Sequence, residues 1–302
     1  MKESTIDALI TESLAIEAES AQEAGTIGYM ARAMVQATMP HKRTTALHHQ
    51  RRNGDYRLTM AALNPEIGLP FGSIPRLMLA WIGSEVIRTR EREIVLGDSM
   101  SAFMRELDMV PTGGRWGTVT RLKDQSARLT SCAITCSYMD GDHFDSGEPF
   151  TVGRGKFWWN PQAPEQMGLF QSTLELSEGF YNEILAHPVP VDMRALKMLK
   201  RSPMALDIYC WTVYRIYTLN RSRRRSVVIP WESLQLQFGA GYPTTSQGIR
   251  NFRKAFLREL NKVSALAYQD AQVSYDSRGL TLGQSPLHLP VQAPKPEHGK
   301  GG

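Results

Sequence analysis

Apolar residues recur at three- and four-residue steps in several stretches of the chain. The most regular set is Ile249, Phe252, Phe256, Leu260 and Val263. This spacing puts them on one face of a helix over about 244–263. The opposite face carries Gln247, Arg250, Asn251, Lys254, Arg258 and Asn261, with Glu259 on its flank. Just upstream, Pro230-Trp231-Glu232-Ser233-Leu234-Gln235-Leu236-Gln237-Phe238-Gly239 predicts a shorter helix and a turn. Downstream, short strands over 271–275 and 280–282 flank Ser277-Arg278-Gly279, which reads as a hairpin.

A similar order of elements is expected earlier in the chain. Ser73 is a plausible cap, Pro75 sits in the first turn, and Leu77, Leu79, Trp81, Ile82, Val86 and Ile87 continue a helix apolar nearly all round. A short strand over 93–96 follows, then a helix over 99–109 with Met100, Phe103, Met104 and Leu107 inward. After the Pro111-Thr112-Gly113-Gly114 turn, a third helix over 115–132 turns Val119, Leu122 and Leu129 inward and Arg121, Gln125 and Arg128 outward. Strands at 134–138 and 156–159 are expected to pair as a hairpin, and 169–176 to join the two halves. In the second half, Ser177 caps one helix and 192–199 forms another. Ser202-Pro203 opens a long one through Ile208, Tyr209, Trp211, Val213, Tyr214 and Ile216, and a strand at 227–229 follows. Residues 29–38 are expected to be helical, 41–52 a basic loop or strap, and 57–62 a short strand.

The predicted fold class is α+β, mainly α: two tandem winged-helix domains with a helical N-terminal extension. The expected boundaries are 1–65 for the extension and basic loop, 66–168 for the first winged-helix domain, 169–290 for the second, and 291–302 for a disordered tail. With 302 residues, 42% of them hydrophobic, the chain is long enough for two domains with real cores.

Charge sharpens the picture. The net charge is +5, unevenly spread. Residues 1–24 hold one Lys against six acids, whereas 221–262 hold nine Lys and Arg against two acids, a net of +7. Such a concentration is the electrostatic footprint expected for a polyanion. Arg pairs with guanine edges, Asn and Gln with adenine, and Lys suits phosphate. The helix over 244–263 therefore reads as a recognition helix for double-stranded DNA, through Gln247, Arg250, Asn251, Lys254 and Arg258. Arg223, Arg224 and Arg225 are candidate phosphate contacts, and Arg115, Arg121, Gln125 and Arg128 are candidates for an auxiliary contact from the first half. The all-round apolar helix near residue 80 exceeds what one small domain easily buries, so the first half is also expected to self-associate, in dimer–monomer exchange.

Other chemistries find little support. Cys132, Cys136 and Cys210 cannot all pair and read as buried thiols in a reducing cytoplasm. No second Cys or His pair stands at zinc-ligand spacing, and His48-His49 lack neighbouring carboxylates. Gly113, Gly114 and Gly117 lead to Thr118-Val119 rather than the Lys-Ser/Thr of a phosphate-binding loop. Asp140, Asp142, His143 and Asp145 lack the closing Glu of a calcium loop. No catalytic residue, metal or cofactor is expected. No run approaches a membrane span, and the acidic start is unlike a secretory signal, so no membrane partner is expected.

Three segments carry a family resemblance. They are Leu69-Pro70-Phe71-Gly72-Ser73-Ile74-Pro75-Arg76-Leu77 followed by Trp81, Val110-Pro111-Thr112-Gly113-Gly114-Arg115-Trp116-Gly117, and Leu196-Lys197-Met198-Leu199-Lys200-Arg201-Ser202-Pro203-Met204-Ala205-Leu206-Asp207-Ile208-Tyr209. With Pro230-Trp231-Glu232, Gln235, Phe238-Gly239 and Phe252-Arg253, they resemble the RepA-type replication initiators of broad-host-range bacterial plasmids, over about 28–289. The resemblance implies a winged-helix pair, origin repeats (iterons) as ligand, and replication initiation with origin opening as outcome. It further implies dimerisation through the first domain, iteron binding as a monomer, and a host replication initiator and replicative helicase as partners. The work is binding and DNA distortion, not bond chemistry. One alternative is a transcriptional repressor with the same domains. A rolling-circle nicking initiator ranks lower, because His48-His49-Gln50 does not supply its His-hydrophobic-His pair.

Overall fold

The computed structural model describes residues 27–140, 143–157, 172–239 and 241–289. In chain order its elements begin with β1 (Ile27–Ala31), α1 (Arg32–Gln36), β2 (His48–Asn53) and β3 (Tyr56–Ala62). Then come α2 (Ser73–Thr89), β4 (Glu93–Val95), α3 (Met100–Glu106), α4 (Thr118–Thr130), β5 (Cys132–Asp140), β6 (His143–Ser146), β7 (Phe150–Thr151), β8 (Gly153–Lys156) and β9 (Thr173–Leu176). The second half adds α5 (Glu178–Ala186), β10 (Pro188–Asp192), α6 (Met193–Leu199), α7 (Pro203–Asn220), β11 (Ser226–Pro230), α8 (Trp231–Phe238), α9 (Ser246–Leu266), β12 (Val273–Tyr275) and β13 (Gly279–Gly283). The chain is a mixed α and β structure.

Two three-stranded antiparallel sheets share one strand order. The first runs β4-β9-β8 and the second β11-β13-β12. In each, the strand that follows the long helix lies at one edge, and the last strand of the hairpin sits in the middle. The first-half hairpin is therefore β8 with β9, in the register Gly153↔Leu176 to Lys156↔Thr173. This corrects two expectations. Residues 134–138 pair with 56–60, Lys156 pairs with Thr173, and 158–159 of the expected strand lie outside the described residues; the strand ending at Leu176 does not join the halves but completes the first sheet. Instead β3 pairs along its whole length with β5, which also pairs with β6 and β7. Period-two alternation identifies a strand but not its partner.

The N-terminal part is corrected as well. Residues 1–26, the start of the expected helical extension, lie outside the described residues, as do residue 290 and the tail. Residues 29–31 lie in β1, paired with β10 (Ile27↔Asp192), and only Arg32–Gln36 are helical. The basic stretch at 48–53 is strand β2, paired with β3. Residues 27–62 are thus built into the body of the molecule rather than appended to it. Of the acidic loop, Asp140 ends β5 and His143 and Asp145 lie in β6, while Asp142 is outside the described residues.

The core shows why the apolar helices need so much cover. Leu77, Met78, Leu79, Ala80, Ile82 and Val86 of α2 are all buried. Strand β1 crosses α2 at Gly83, where a Cβ would overlap the Tyr29 carbonyl oxygen, and the Tyr29 amide donates to Ser84 Oγ (3.2 Å). Helices α5 and α7 cover other faces of α2. Most of its apolar surface is therefore covered within the chain, with Ile74, Trp81 and Ile87 left half-buried. In the second half, Trp211, Phe238, Phe252 and Phe256 form a chain of edge-on and tilted ring contacts at 5.4–5.6 Å between α7, α8 and α9. Aromatic rings at these separations favour such tilted packing.

A buried polar knot ties the halves together. Arg76 on α2 donates to Asp207 on α7 through Nε (2.6 Å) and Nη2 (2.7 Å), and also to the carbonyls of Met39 and Gly72. His41 Nε2 lies 2.7 Å from Asp207 Oδ2. Nearby, Thr38 Oγ1 donates to the Gln237 carbonyl and Gln237 Nε2 to the Gln36 carbonyl, which fixes α8 against the N-terminal strap.

Candidate nucleic-acid interface

Helix α9 starts at a side-chain cap, with Thr245 accepting from the Gly248 amide (3.1 Å). The turn leading into it is held by Gln235, whose Nε2 donates to the Pro243 carbonyl (2.9 Å) and, more weakly, the Tyr242 carbonyl. Phe252, Phe256, Leu260 and Val263 are buried as the spacing predicts, while Gln247, Arg250, Asn251, Lys254 and Arg258 are exposed.

The exposed face is ordered before any ligand arrives. Arg250 Nη2 donates to Gln247 Oε1 (2.6 Å), and Gln247 Nε2 donates to Asn251 Oδ1 (2.9 Å). Two planar amides and a guanidinium are thus cross-braced over the first turns of the helix. Lys254 lies one turn further on with no side-chain partner among the described residues. Arg258 differs. Its Nε donates to Glu259 (2.8 Å), and Lys262 donates to the same carboxylate (2.9 Å). Burial would raise the Glu259 pKa, but the bonds from Lys262 and Arg258 hold it below the usual carboxylate value, so it stays ionised. Glu259 therefore faces the interior rather than the flank and offsets part of the charge of the C-terminal half of α9. The positive field is centred on Arg250 and Lys254.

A second element flanks this face. The β12–β13 turn presents Arg278, side chain 79% exposed and bonded to Asp276 (2.8 Å). Trp231 Nε1 donates to the Asp276 carbonyl (3.0 Å), and the Arg253 guanidinium lies 4.8 Å from the Trp231 ring centre. This relay sets the hairpin turn beside the N-terminal half of α9. Sequence reasoning passed over Arg278 as a turn residue; a cation at a hairpin turn after a recognition helix was the available signal.

The arginine cluster is placed elsewhere. Arg223, Arg224 and Arg225 are exposed, but they precede Ser226, which pairs with Gly283. The hairpin turn lies at the other end of β11, where Pro230 pairs with Gly279. About four strand residues, roughly 13 Å, separate the two ends. Arg221 stacks on Tyr217 (5.0 Å).

In the first half the expected contacts divide. Arg115 and Arg121 are exposed. Gln125 and Arg128 are buried, which corrects their outward assignment. Gln125 Oε1 accepts from the Phe71 amide (2.9 Å). Arg128 bonds Asp124 (2.8 Å) and the Leu69 carbonyl (3.3 Å), and its guanidinium lies 5.3 Å from the Phe71 ring centre. Both side chains fasten the strap before α2 onto α4. A helical wheel cannot foresee that a distant loop will cover a polar stripe.

Among the described residues there is no cluster of three or more His, Cys, Asp or Glu placed to hold a metal ion, and no helix is long and apolar enough to cross a membrane. The three thiols carry raised pKa values because burial disfavours the thiolate, with Cys132 pushed up to about 12.

Comparison with known proteins adds four findings. Among solved structures, domains 2 and 3 of RctB share the fold at a TM-score of 0.51, with 13% identity over 83% of this chain and 96% of that one. A second RctB domain 2–3 structure aligns at a TM-score of 0.47, with 11% identity over 83% of this chain and 95% of that one. Curated protein sequences return no match. The sequence profile described as "Plasmid encoded RepA protein" matches residues 69–233, more than half of the chain, from the strap before α2 to the first turn of α8. The chain belongs to the plasmid-encoded RepA family of replication initiators.

Proposed function

We propose that this protein initiates plasmid replication by binding repeated duplex sites in the origin through two winged-helix units, and that the second unit is the main reader. The observation that carries this reading is the braced, exposed Gln247, Arg250 and Asn251 trio with Lys254, flanked by Arg278 at the hairpin turn. Amide and guanidinium groups braced side by side on one exposed helix face suit base edges in a major groove, and the hairpin tip suits backbone or minor groove. The first unit runs to Leu176, since β9 pairs with β8 and β4, and adds Arg121 as an auxiliary duplex contact. Opening of the origin, recruitment of host replication proteins and repression of the protein's own promoter are the downstream roles in this reading, in the bacterial cytoplasm.

The test is binding to a duplex of about 20 bp, two helical turns, taken from the replicon's repeated sites, against a scrambled duplex. Preference for the repeat by at least about a thousandfold is expected; equal binding to both would overturn the reading. Supercoiled origin plasmid incubated with the protein and Mg²⁺ or Mn²⁺ should stay unnicked, whereas relaxation would favour the nicking alternative.

A further inference from the structure

The loop before α4 holds a large aromatic ring out in water. Trp116 is 78% exposed, which is unusual for a side chain of this size. The loop beneath it is tightly built. Thr112 N donates to Thr118 Oγ1 and Thr118 N donates to Thr112 Oγ1, both at 2.9 Å. Thr118 Oγ1 donates to the Val110 carbonyl (2.6 Å), and Thr120 Oγ1 to the Gly114 carbonyl (2.9 Å). At Gly117 a Cβ would overlap the carbonyl oxygens of Thr112 and Gly113, and Gly114 adopts a left-handed φ of 86°. These constraints fix the apex that carries Arg115 and Trp116.

The Arg115 guanidinium lies over one face of the indole, 5.1 Å from the ring centre, and leaves the other face open. The surroundings are positive. Arg121 and Lys123 are exposed, while Asp124 is engaged by Arg128 and Asp108 by Lys200. Glu106 instead lines a separate cleft with Trp81 and Arg88. An open ring face under a cation, on a rigid loop in a positive field, suits a nucleobase with its phosphate. Inside a duplex both faces of each base are covered by its neighbours. Only a base that has left the stack offers a face to Trp116.

We infer that Arg115 and Trp116 form a stacking site for an unpaired base of the opened origin strand. This rests on the initiator reading above and assigns it a single-strand contact in the first half, apart from the duplex reader on α9.

The experiment uses the full chain with three probes: an oligothymidylate strand of about 20 nucleotides, the repeat duplex, and supercoiled origin plasmid treated with permanganate. Trp116→Ala should weaken strand binding about tenfold and Trp116→Phe less than about threefold, with both leaving repeat-duplex affinity within about twofold. Trp116→Leu keeps apolar bulk without a ring, so it should behave like alanine; the Phe–Leu comparison decides if alanine impairs folding. Thymine reactivity in the plasmid should fall with Ala and Leu but not with Phe. Unchanged strand affinity in Trp116→Ala and Trp116→Leu, equal losses on strand and duplex, or a wild-type protein that does not bind the strand would each overturn the site. Failure of the wild type to prefer the repeat duplex would instead count against the initiator reading itself.

Discussion

Arg250 and Asn251 differ from Gln125 and Arg128 in one physical respect, although all four are polar residues on amphipathic helices. The first pair bonds only to Gln247 on its own exposed face, while the second is buried against the Leu69–Phe71 strap. Their substitutions should separate cleanly. Arg250→Ala or Asn251→Ala should cost about 1–3 kcal/mol on the repeat and far less on random DNA; equal losses on both would sink the base-reading role. Gln125→Ala or Arg128→Ala should instead lower thermal stability, by about 1–3 kcal/mol, because buried partners lose their bonds. Calorimetry together with an unchanged salt dependence of DNA binding would bear this out.

At the scale of elements, the second sheet separates two kinds of positive charge. Arg278 sits beside α9, whereas Arg223, Arg224 and Arg225 sit at the far end of β11. If the cluster meets phosphates, replacing all three should flatten the plot of log K against log salt by up to about 0.9 per arginine. Specific and random DNA should be affected alike. An unchanged slope returns the cluster to a solvated loop and leaves the hairpin turn as the second contact. The turn before α4 allows a complementary test of rigidity. Gly117→Ala forces a Cβ against two carbonyl oxygens, so it should lower the melting temperature and loosen the Thr112–Thr118 bonds.

For the whole molecule, the Arg76–Asp207–His41 knot joins the first-half helix α2 to α7. Burial alone would raise the Asp207 pKa, but the Arg76 charge and the bonds from His41 and Arg76 hold it below the usual value, so it stays ionised. Removing one partner of such a buried pair, as in Arg76→Leu, should cost about 3–5 kcal/mol and alter the relative placement of the two halves. Small-angle scattering and chemical denaturation would register both effects. Three half-buried histidines set the acid response. His41, His49 and His288 all have lowered pKa values, chiefly through burial, with His49 lowered to about 4. The unfolded chain therefore takes up protons first as pH falls. Stability should be flat above about pH 6.5 and decline toward pH 4, by at most about 1.4 kcal/mol per pH unit for each histidine. His49→Gln, which retains a donor for the Thr38 carbonyl, should make the decline shallower; an identical pH profile would remove His49 from the account. A fragment of residues 60–168 lacks β1, β9 and α7. It would expose α2, so its self-association would not report on the whole chain.

Local chemistry was enough for much of this protein. The three- and four-residue spacing of Phe252, Phe256, Leu260 and Val263 defines α9 and its exposed face, because a helix imposes its own period on whatever packs against it. Ser202-Pro203 and Ser177 mark real helix starts, with each serine accepting from a backbone amide three residues on. The family motifs also stand in the sequence as written. Pairing over long distances was not legible. That β5 joins β3, that β9 completes the first sheet, and that β1 crosses α2 at Gly83 depend on which surfaces remain to be covered once the helices have packed. The same limit explains Gln125, Arg128 and Glu259. A polar residue at a helical position carries no sign of whether water or a distant backbone segment will meet it, and that choice is made only when the chain closes on itself.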